Sequence, residues 1–444
     1  MKIAIKTLGC KSNRADTDQL IDGIFYAFGE NVSIVDINNA SDCLDNFGVD
    51  VCLVNTCTVT HIADRKSRAS ASHLKKIYPD AKICVFGCGP KVDKNSYEKL
   101  NGIDFVGITI DEVLKYLKSV FKALPKEKSN VLFTRNPVGI RTRAVMKVQD
   151  GCNNFCTYCI IPFARGREKS FPMKNILNEA KKLCDQGYKE IVLTGINIGN
   201  WREKVENREL DLGDLIIKIL DTTSIDRVRL SSIEPQNFSE SFEKLLKDPK
   251  YSSRFCPHLH MSLQSGSDDV LKAMRRHYDT KLYKKVARKL KKLAPEIALT
   301  TDVIVGFPGE TDDNFKESYE FVKAIGFAKV HVFPYSKRSG TVAALLPNQI
   351  PDDVKKSRAR KLQKLSDELR LKFFEAQIGG FYPVLIENQN SKKEWLGLTP
   401  NYIQVRIQGC VNSKNIHSKE NLQNKIVNVK LVELKDGFVK GIII

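Results

Sequence analysis

The sequence has no long apolar run, and no stretch approaches the roughly 18 consecutive apolar residues that a membrane helix requires. It also shows no signal-peptide pattern, because Met1-Lys2 leads directly into the strand-like Ile3-Ala4-Ile5. These absences lead us to expect a cytoplasmic protein without a membrane partner.

Acidic residues are fewer than basic residues. The 444 residues include 52 Asp and Glu against 71 Lys and Arg, which gives a formal net charge of +19. This positive surplus suits a polyanionic partner such as RNA, although it also fits mere solubility. The length is sufficient for about three domains, each with its own core.

Three cysteines share one short loop, and no fourth Cys or His lies nearby. Cys152, Cys156 and Cys159 have the spacing C-x3-C-x2-C. Two weaker interpretations are a zinc knuckle and three thiols in a buried core. A zinc site would favour paired C-x2-C units with a fourth ligand nearby. Three thiolates can hold a [4Fe–4S] cluster and leave its fourth iron open. The usual ligand at this spacing is S-adenosylmethionine, which such a cluster cleaves to a 5′-deoxyadenosyl radical.

The N-terminal segment alternates strands and helices. Strands are predicted at Lys2–Thr7, Val51–Asn55 and Lys82–Phe86, and a helix at Asp16–Phe28. This order predicts a small doubly wound parallel sheet.

Three further cysteines follow these strands. Cys10, Cys57 and Cys88 lie just past the strand ends, and glycine precedes two of them. Loops at the carboxyl ends of parallel strands converge at one sheet edge, so the three thiols could hold a second cluster with one open iron. The alternative is three unrelated small residues in turns. The twelve cysteines of a chain expected in the reducing cytosol favour metal ligands and buried thiols over disulfides.

The central segment repeats strand and helix six times, which predicts a partial (β/α)6 barrel. The predicted strands are Val145–Val148, Glu190–Thr194, Arg227–Ser231, His258–Leu263, Ala298–Val305 and Lys329–Phe333. Polar and glycine-rich strings follow successive strands and predict a lined cavity at the barrel mouth: Thr194-Gly195-Ile196-Asn197, Ser231-Ser232-Ile233-Glu234-Pro235, Gln264-Ser265-Gly266-Ser267 and Val305-Gly306-Phe307-Pro308-Gly309-Glu310. His258, His260 and His331 lie in strand-like runs. We expect these histidines to be hydrogen-bonded residues that are buried or face the barrel interior, rather than metal ligands. Contact with the substrate is left open for those at the strand ends.

A linker is predicted at residues 121–141, and a helix begins after Pro351. The face of this helix opposite its apolar stripe is basic and includes Arg358 and Lys361. The tail from Gly379 contains five short strands, which predict a small all-β, OB-like barrel. Such barrels often bind single-stranded nucleic acid, and Tyr402 and Arg406 are the candidates for base stacking and phosphate contact.

The chain resembles the radical S-adenosylmethionine methylthiotransferases, and the resemblance covers nearly all of it. The two cysteine triplets match the family's pattern. Three strings are most similar to the branch that modifies N6-threonylcarbamoyladenosine beside the tRNA anticodon: Thr7-Leu8-Gly9-Cys10-Lys11, Asn55-Thr56-Cys57-Thr58-Val59-Thr60 and His331-Val332-Phe333-Pro334-Tyr335-Ser336-Lys337-Arg338. One departure is Cys88-Gly89-Pro90, where that branch commonly has Cys-Tyr-Ala.

The resemblance implies an α/β chain of three domains. They are a methylthiotransferase N-terminal domain at 1–120, a radical core at 142–376 and an RNA-binding TRAM domain at 377–444. It also implies two [4Fe–4S] clusters. Cys10, Cys57 and Cys88 would hold the auxiliary cluster, and Cys152, Cys156 and Cys159 the radical cluster.

The family's activity is radical methylthiolation of carbon 2 of an adenine. On that basis, five residues at the barrel mouth are expected to bind S-adenosylmethionine: Gly195, Asn197, Ser232, Glu234 and Gln264. The expected partners are tRNA at its anticodon region and an electron donor such as flavodoxin or ferredoxin, with no DNA. Three alternatives stay open, namely the N6-isopentenyladenosine branch, the ribosomal-protein branch and a non-catalytic iron–sulfur RNA-binding protein.

Overall fold

The computed structural model describes residues 1–29, 32–37, 48–121, 141–410 and 421–444. The chain divides into two compact units, each assembled from separate segments. The first contains residues 1–135, 150–168 and 336–344, and the second contains residues 136–149, 169–335 and 345–444. The predicted linker at 121–141 lies, apart from its two end residues, outside the described residues.

The first unit is built on a parallel sheet. The described strands are Lys2–Thr7, Ser33–Asp36, Val51–Thr56, Lys82–Gly87 and Phe105–Val106. With the strands numbered in chain order, the spatial order is 2-1-3-4-5 and each neighbouring pair is parallel. This order reverses direction between Lys2–Thr7 and Val51–Thr56, the kind of switch point where ligands bind in such sheets.

Helices cover both faces of this sheet. Leu20, Ile24 and Leu117 belong to the core on one face, whereas Leu74 and Tyr97 belong to the core on the other. The doubly wound prediction is therefore confirmed. The described helices of the unit are Lys11–Phe28, His61–Ile77, Cys88–Val92, Lys94–Glu98, Ile110–Val120 and Ile161–Arg165.

The second unit contains the predicted partial barrel. Its described parallel strands follow one another in chain order: Arg143–Lys147, Glu190–Thr194, Arg227–Leu230 continued by Ser232–Ile233, His258–Met261, Ala298–Val305 and Lys329–Pro334. A parallel bridge between Val228 and Phe255 joins the first three strands to the rest. The partial (β/α)6 prediction is thereby confirmed.

The two faces of the barrel sheet differ in polarity. Apolar residues such as Leu193, Met261 and Val303 point into the core shared with the helices. The intervening residues, among them Glu190 and Asp302, lie on the opposite, inner face, because side chains alternate along a strand. The described helices are Met173–Asp185, Leu212–Thr222, Glu240–Lys247, Pro249–Ser252, Asp268–Ala273, Thr280–Leu293, Asp312–Ile325 and Asp352–Glu375. The other elements outside the tail are a hairpin, Glu203–Val205 with Arg208–Leu210, and a two-stranded pair, Gln149–Asp150 with Lys169–Ser170. There are also three 3-10 turns among the described residues: Ile198–Asn200, Pro235–Asn237 and Val342–Ala344.

The tail forms a closed β-barrel, as predicted. In spatial order its described strands are Phe381–Gln389, Trp395–Leu398, Gln404–Cys410, Phe438–Ile443 and Ile426–Lys435, which pairs back with the first. Val384, Val405 and Val439 fill its interior. The pattern of short alternating strands between turn residues thus identifies the barrel correctly.

Buried ion pairs attach this small barrel to the amino-terminal end of the larger one. Glu190 accepts from Arg227 Nε at 2.6 Å and from Arg229 Nε at 2.7 Å. The same two arginines donate to backbone carbonyls of the tail, at Leu398 and Thr399. Tyr402 of the tail stacks on His258, with ring centroids 4.3 Å apart. We call this group, Glu190, Arg227, Arg229, His258 and Tyr402, the barrel floor.

Within the described ranges, no helix is both long and apolar enough to cross a membrane.

Candidate iron–sulfur and cofactor site

The three N-terminal cysteines meet at the switch point of the first sheet. Cys10 is the residue before the first helix, Cys57 follows the strand Val51–Thr56, and Cys88 begins a short helix after Lys82–Gly87. The Oδ1 atom of Asn13 lies 3.5 Å from Cys88 Sγ and 3.9 Å from Cys10 Sγ. A Cβ added to Gly9 would lie only 2.8 Å from Cys57 Cβ, so the loops approach closely only because residue 9 is glycine.

Asn13 holds two of these loops together. Its Nδ2 donates to Leu8 O at 2.8 Å and to Thr56 O at 2.7 Å, one carbonyl from each loop. The residue is only 1% exposed. Sequence reasoning missed it, since a polar residue in the first turn of a helix gives no signal of its own.

Burial favours the protonated form of the Cys57 and Cys88 thiols until a metal replaces the proton. It raises the pKa of Cys57 to about 11 and also raises the pKa of Cys88, in spite of the nearby Arg165 guanidinium. Iron binding to such thiols must release protons. Together with the glycine-dependent approach of the loops, these clustered thiols fit an iron–sulfur cluster.

Arg165 reaches this triplet from the segment that carries the other one. Its Nε donates to Cys88 Sγ at 3.1 Å, and its Nη1 pairs with Asp16 at 2.5 Å. The Nη2 atom donates to Asn13 Oδ1. The side chain is 2% exposed, so its charge acts in a poorly solvated site. Arg165 is therefore a buried residue and not a solvated loop charge.

The second triplet lies on a loop of defined shape. Cys152 N donates to Gly166 O at 3.2 Å and Cys159 N donates to Cys156 O at 3.0 Å. A Cβ on Gly151, whose φ is +69°, would lie 2.0 Å from Arg167 O, so only glycine fits there. Asn154 N donates to Cys152 Sγ at 3.4 Å, the kind of hydrogen bond that iron–sulfur ligands accept.

Both triplets belong to the same compact unit. Arg338, another member of this unit, donates to Thr58 Oγ1 at 2.5 Å, next to Cys57. Its Nε is buried and has no hydrogen-bond partner among the described residues. Arg338 lies 280 residues from Thr58 in the chain, which is why the pattern around Cys57 gave no hint of it.

The second unit places Gly195 and Asn197 around one anchoring side chain. Gln149 Oε1 accepts from Ile196 N at 3.1 Å and from Asn197 N at 2.9 Å. A Cβ on Gly195 would lie 2.6 Å from Gln149 O, so the turn needs glycine. Asn197 Nδ2 is buried and has no partner within the part of the chain that the structure describes. An unpaired buried amide is suited to receive a polar ligand atom.

The other three predicted cofactor residues have different surroundings. Ser232 begins the short strand beside His258–Met261, and the neighbouring Ser231 Oγ is buried without a partner in the described ranges. Glu234 pairs with Arg276 and accepts from Gln236 Nε2 at 2.6 Å, so its carboxylate already has protein partners. Gln264 has a φ of +68° and donates its backbone N–H to Asp302 O at 2.8 Å.

The four candidate RNA contacts fall into two groups. Tyr402 is part of the barrel floor, with Arg229 4.8 Å from its ring centroid, and Arg358 is 6% exposed and pairs with Glu310 at 2.7 Å. Arg358 is therefore too buried for an RNA contact, whereas Tyr402 has structural partners but is also 38% exposed. Arg406 lies over the partly exposed ring of Phe438, and Lys361 is exposed.

Comparisons with known proteins identify the family. Residues 146–322 match the model of the Radical SAM superfamily, and residues 2–107 match that of Uncharacterized protein family UPF0004. A Bacillus subtilis protein named threonylcarbamoyladenosine tRNA methylthiotransferase MtaB is 36% identical over 98% of this chain and 94% of its own length. This chain belongs to the radical S-adenosylmethionine methylthiotransferase family. It is therefore an enzyme that transfers a sulfur-containing group, with S-adenosylmethionine and [4Fe–4S] clusters as cofactors, as predicted.

A second relative has a different substrate in its name. The Clostridium botulinum (strain Loch Maree / Type A3) tRNA-2-methylthio-N(6)-dimethylallyladenosine synthase is 34% identical over 98% of this methylthiotransferase and 96% of its own length. Among solved structures, the radical S-adenosylmethionine methyltransferase TsrM from Kitasatospora setae matches with a TM-score of 0.56 at 14% identity, over 75% of this chain and 74% of that one. The last likeness supports the fold alone.

Proposed function

We propose that this methylthiotransferase acts on tRNA and converts N6-threonylcarbamoyladenosine next to the anticodon into its 2-methylthio derivative. The observation that carries the proposal is the pair of three-cysteine sets in one compact unit. Two such sets provide two open iron positions, and sulfur insertion requires both, one for radical generation and one for sulfur. The Bacillus subtilis relative, which is named for this substrate, supports the choice of nucleoside.

The chain's own residues have separable tasks in this proposal. Cys152, Cys156 and Cys159 hold the radical cluster, and Cys10, Cys57 and Cys88 hold the auxiliary cluster. When bound, these groups and S-adenosylmethionine supply the radical that removes hydrogen from carbon 2 and the methylthio group that replaces it. Asn13 and Arg165 fix the loops and the charge around the auxiliary set.

Binding of S-adenosylmethionine is assigned to the carboxyl ends of the barrel strands. Gly195 permits the tight turn against Gln149, and the Asn197 amide and the Ser231 hydroxyl offer buried polar atoms. Ser232 and Gln264 remain candidates. Glu234 contributes by fixing Arg276 and the turn that follows the third strand.

RNA binding is assigned to the outer face of the tail barrel. Arg406 lies over the ring of Phe438, and Lys430 lies 5.6 Å from the centroid of Phe381, which is 62% exposed. Alternating aromatic and cationic groups of this kind suit stacked bases and phosphates. Lys361, on the helix that leads to the tail, is a further candidate.

Three further properties are inferred from the sequence and from the family. We infer the domain division 1–120, 142–376 and 377–444, a cytoplasmic location where tRNA is modified, and a flavodoxin or ferredoxin as electron donor. The dimethylallyladenosine branch is the second candidate function, favoured by the Clostridium botulinum relative, whose identity differs little from that of the first.

Mass spectrometry of tRNA nucleosides tests the proposal. A deletion strain should lose 2-methylthio-N6-threonylcarbamoyladenosine and accumulate the unmethylthiolated nucleoside. Complementation with the wild-type gene should restore it, whereas the Cys152→Ala gene should not. Loss of the dimethylallyl product instead would assign the chain to the second candidate, and no change in either nucleoside would overturn the proposal.

A further inference from the structure

Three ionisable side chains meet on neighbouring strands of the large barrel. One nitrogen each of His260 and His331 and one carboxylate oxygen of Asp302 all lie within 4.8 Å of one another. Asp302 and His331 are register partners, and His260 Nε2 lies 3.1 Å from Asp302 Oδ2. We call these residues the inner triad.

The inner triad belongs to the concave face of the barrel. The residues that alternate with it, Met261, Val303 and Val330, are buried in the core formed with the surrounding helices. The triad therefore points the opposite way, into the barrel interior. His331 is exposed, whereas His260 and Asp302 are partly buried, so the group borders an open space.

Hydrogen bonds connect the inner triad to the barrel floor. Thr300 Oγ1 lies 3.0 Å from His260 Nδ1 and 3.3 Å from His258 Nε2. His258 in turn stacks on Tyr402 of the barrel floor. This chain fixes the ring of His260, and a fixed ring loses little entropy when it binds a ligand.

Two candidate cofactor residues lie next to the inner triad. Ser232 is the register partner of His260, and Gln264 N donates to Asp302 O at 2.8 Å. A nucleobase that reacts at S-adenosylmethionine bound by these residues lies close enough to direct a substituent toward the triad. The triad is thus suited to contact the substituent on N6 of the adenine.

We propose that the inner triad binds the N6 substituent of the target adenosine and selects a polar threonylcarbamoyl group over an apolar dimethylallyl group. The threonylcarbamoyl group has a carboxylate that can accept from imidazole N–H groups, and a hydroxyl and N–H groups that can donate to Asp302. A dimethylallyl group offers none of these and would displace water from the triad without replacing its hydrogen bonds. Sites built to hydrogen-bond a substrate group reject analogues that lack it strongly.

This inference rests on the proposed function and gives it a structural basis for substrate choice. It is tested by kinetics of the reconstituted holoenzyme on two tRNAs that differ only in carrying threonylcarbamoyladenosine or dimethylallyladenosine beside the anticodon. The variants are His331→Phe and Asp302→Asn. The matched control is His277→Phe, because His277 is an exposed residue outside the barrel interior.

Both triad variants should lower kcat/KM for the threonylcarbamoyl tRNA by about 10- to 100-fold, the usual effect of removing hydrogen bonds to a charged group. They should leave kcat/KM for the dimethylallyl tRNA unchanged or raise it, because they remove polar groups that this substrate would desolvate. His277→Phe should leave both quantities unchanged.

Two results would overturn the inference while leaving the proposed function intact. One is that the wild-type enzyme prefers the threonylcarbamoyl tRNA and the variants keep the same preference. The other is a stoichiometric divalent metal other than iron, lost in Asp302→Asn, which would make the triad a metal site. A wild-type enzyme that prefers the dimethylallyl tRNA would instead refute the proposed substrate itself.

Discussion

Arg165 Nε and Cys88 Sγ lie 3.1 Å apart, although 77 residues separate them in the chain. Cys88 belongs to the auxiliary triplet, and Arg165 follows the radical triplet by six residues. The contact joins the segments that carry the two cysteine sets within one compact unit. It also places a permanent positive charge beside a proposed cluster ligand.

Replacing Arg165 with Gln should make the auxiliary cluster harder to reduce. Reduction adds negative charge to the cluster, and a nearby guanidinium stabilises that charge. A redox titration of the holoenzyme followed by electron paramagnetic resonance should show a more negative potential for one of the two clusters. Arg167→Gln is the control, because the Arg167 guanidinium lies 4.5 Å from the ring centroid of Phe155. Equal shifts in both variants would mean that Arg165 has no special role.

Glu190→Gln should destabilise the protein even though it changes few atoms. Glu190 is fully buried between Arg227 and Arg229, and removing one partner of a buried pair costs about 3–5 kcal/mol. The measurement is the free energy of unfolding in urea. Glu98→Gln is the control, since the Glu98 side chain is 48% exposed and pairs with Lys94 at the surface. A loss below about 1 kcal/mol, typical of exposed pairs, would contradict the role of the barrel floor.

The same carboxylate predicts how stability depends on pH. Burial alone would raise the pKa of Glu190, but the Arg229 and Arg227 guanidinium groups outweigh it and lower the pKa from 4.5 to about 2. A lowered pKa in the folded state adds stability above pH 4.5 that is lost as the pH falls toward 2. Wild-type stability should therefore fall across this window, and the Glu190→Gln variant should show a shallower decline. Parallel curves for the two proteins would contradict this prediction.

Tyr402→Ala and Arg406→Gln should separate folding from RNA binding. Tyr402 is held between His258 and Arg229, so its loss should lower stability by about 1–3 kcal/mol. Arg406 belongs to the outer surface of the tail barrel, so its loss should weaken tRNA binding and reduce the salt dependence of affinity by about one counterion. Filter binding at several salt concentrations together with urea unfolding distinguishes the two. The opposite pattern would return Tyr402 to the RNA surface.

The strands and the cysteine sets could be predicted from the sequence, whereas the groups that support them could not. Glu190–Thr194 and Ala298–Val305 match their predicted bounds because their apolar patterns end at turn residues. The placement of Cys10, Cys57 and Cys88 follows from topology, since carboxyl-terminal loops of parallel strands converge. Arg165, Arg338 and the inner triad depend on partners distant in the chain, which local patterns do not encode.

The contacts between the tail and the large barrel also could not be predicted from the sequence. The tail barrel was predictable from strand length and spacing, and the family resemblance implies that it binds RNA. The contacts of Arg227 and Arg229 with the carbonyls of Leu398 and Thr399 show that it also completes the barrel floor. Truncation at residue 377 should therefore expose buried charge and destabilise the second unit.

Iron content is the most direct test of two separate three-cysteine clusters. After anaerobic reconstitution the wild-type chain should contain about eight irons, and the Cys10→Ala, Cys57→Ala, Cys88→Ala triple variant should contain about four. The triple variant should still cleave S-adenosylmethionine but should form no methylthiolated tRNA. About four irons in both proteins would contradict the presence of an auxiliary cluster, and with it the proposed sulfur insertion.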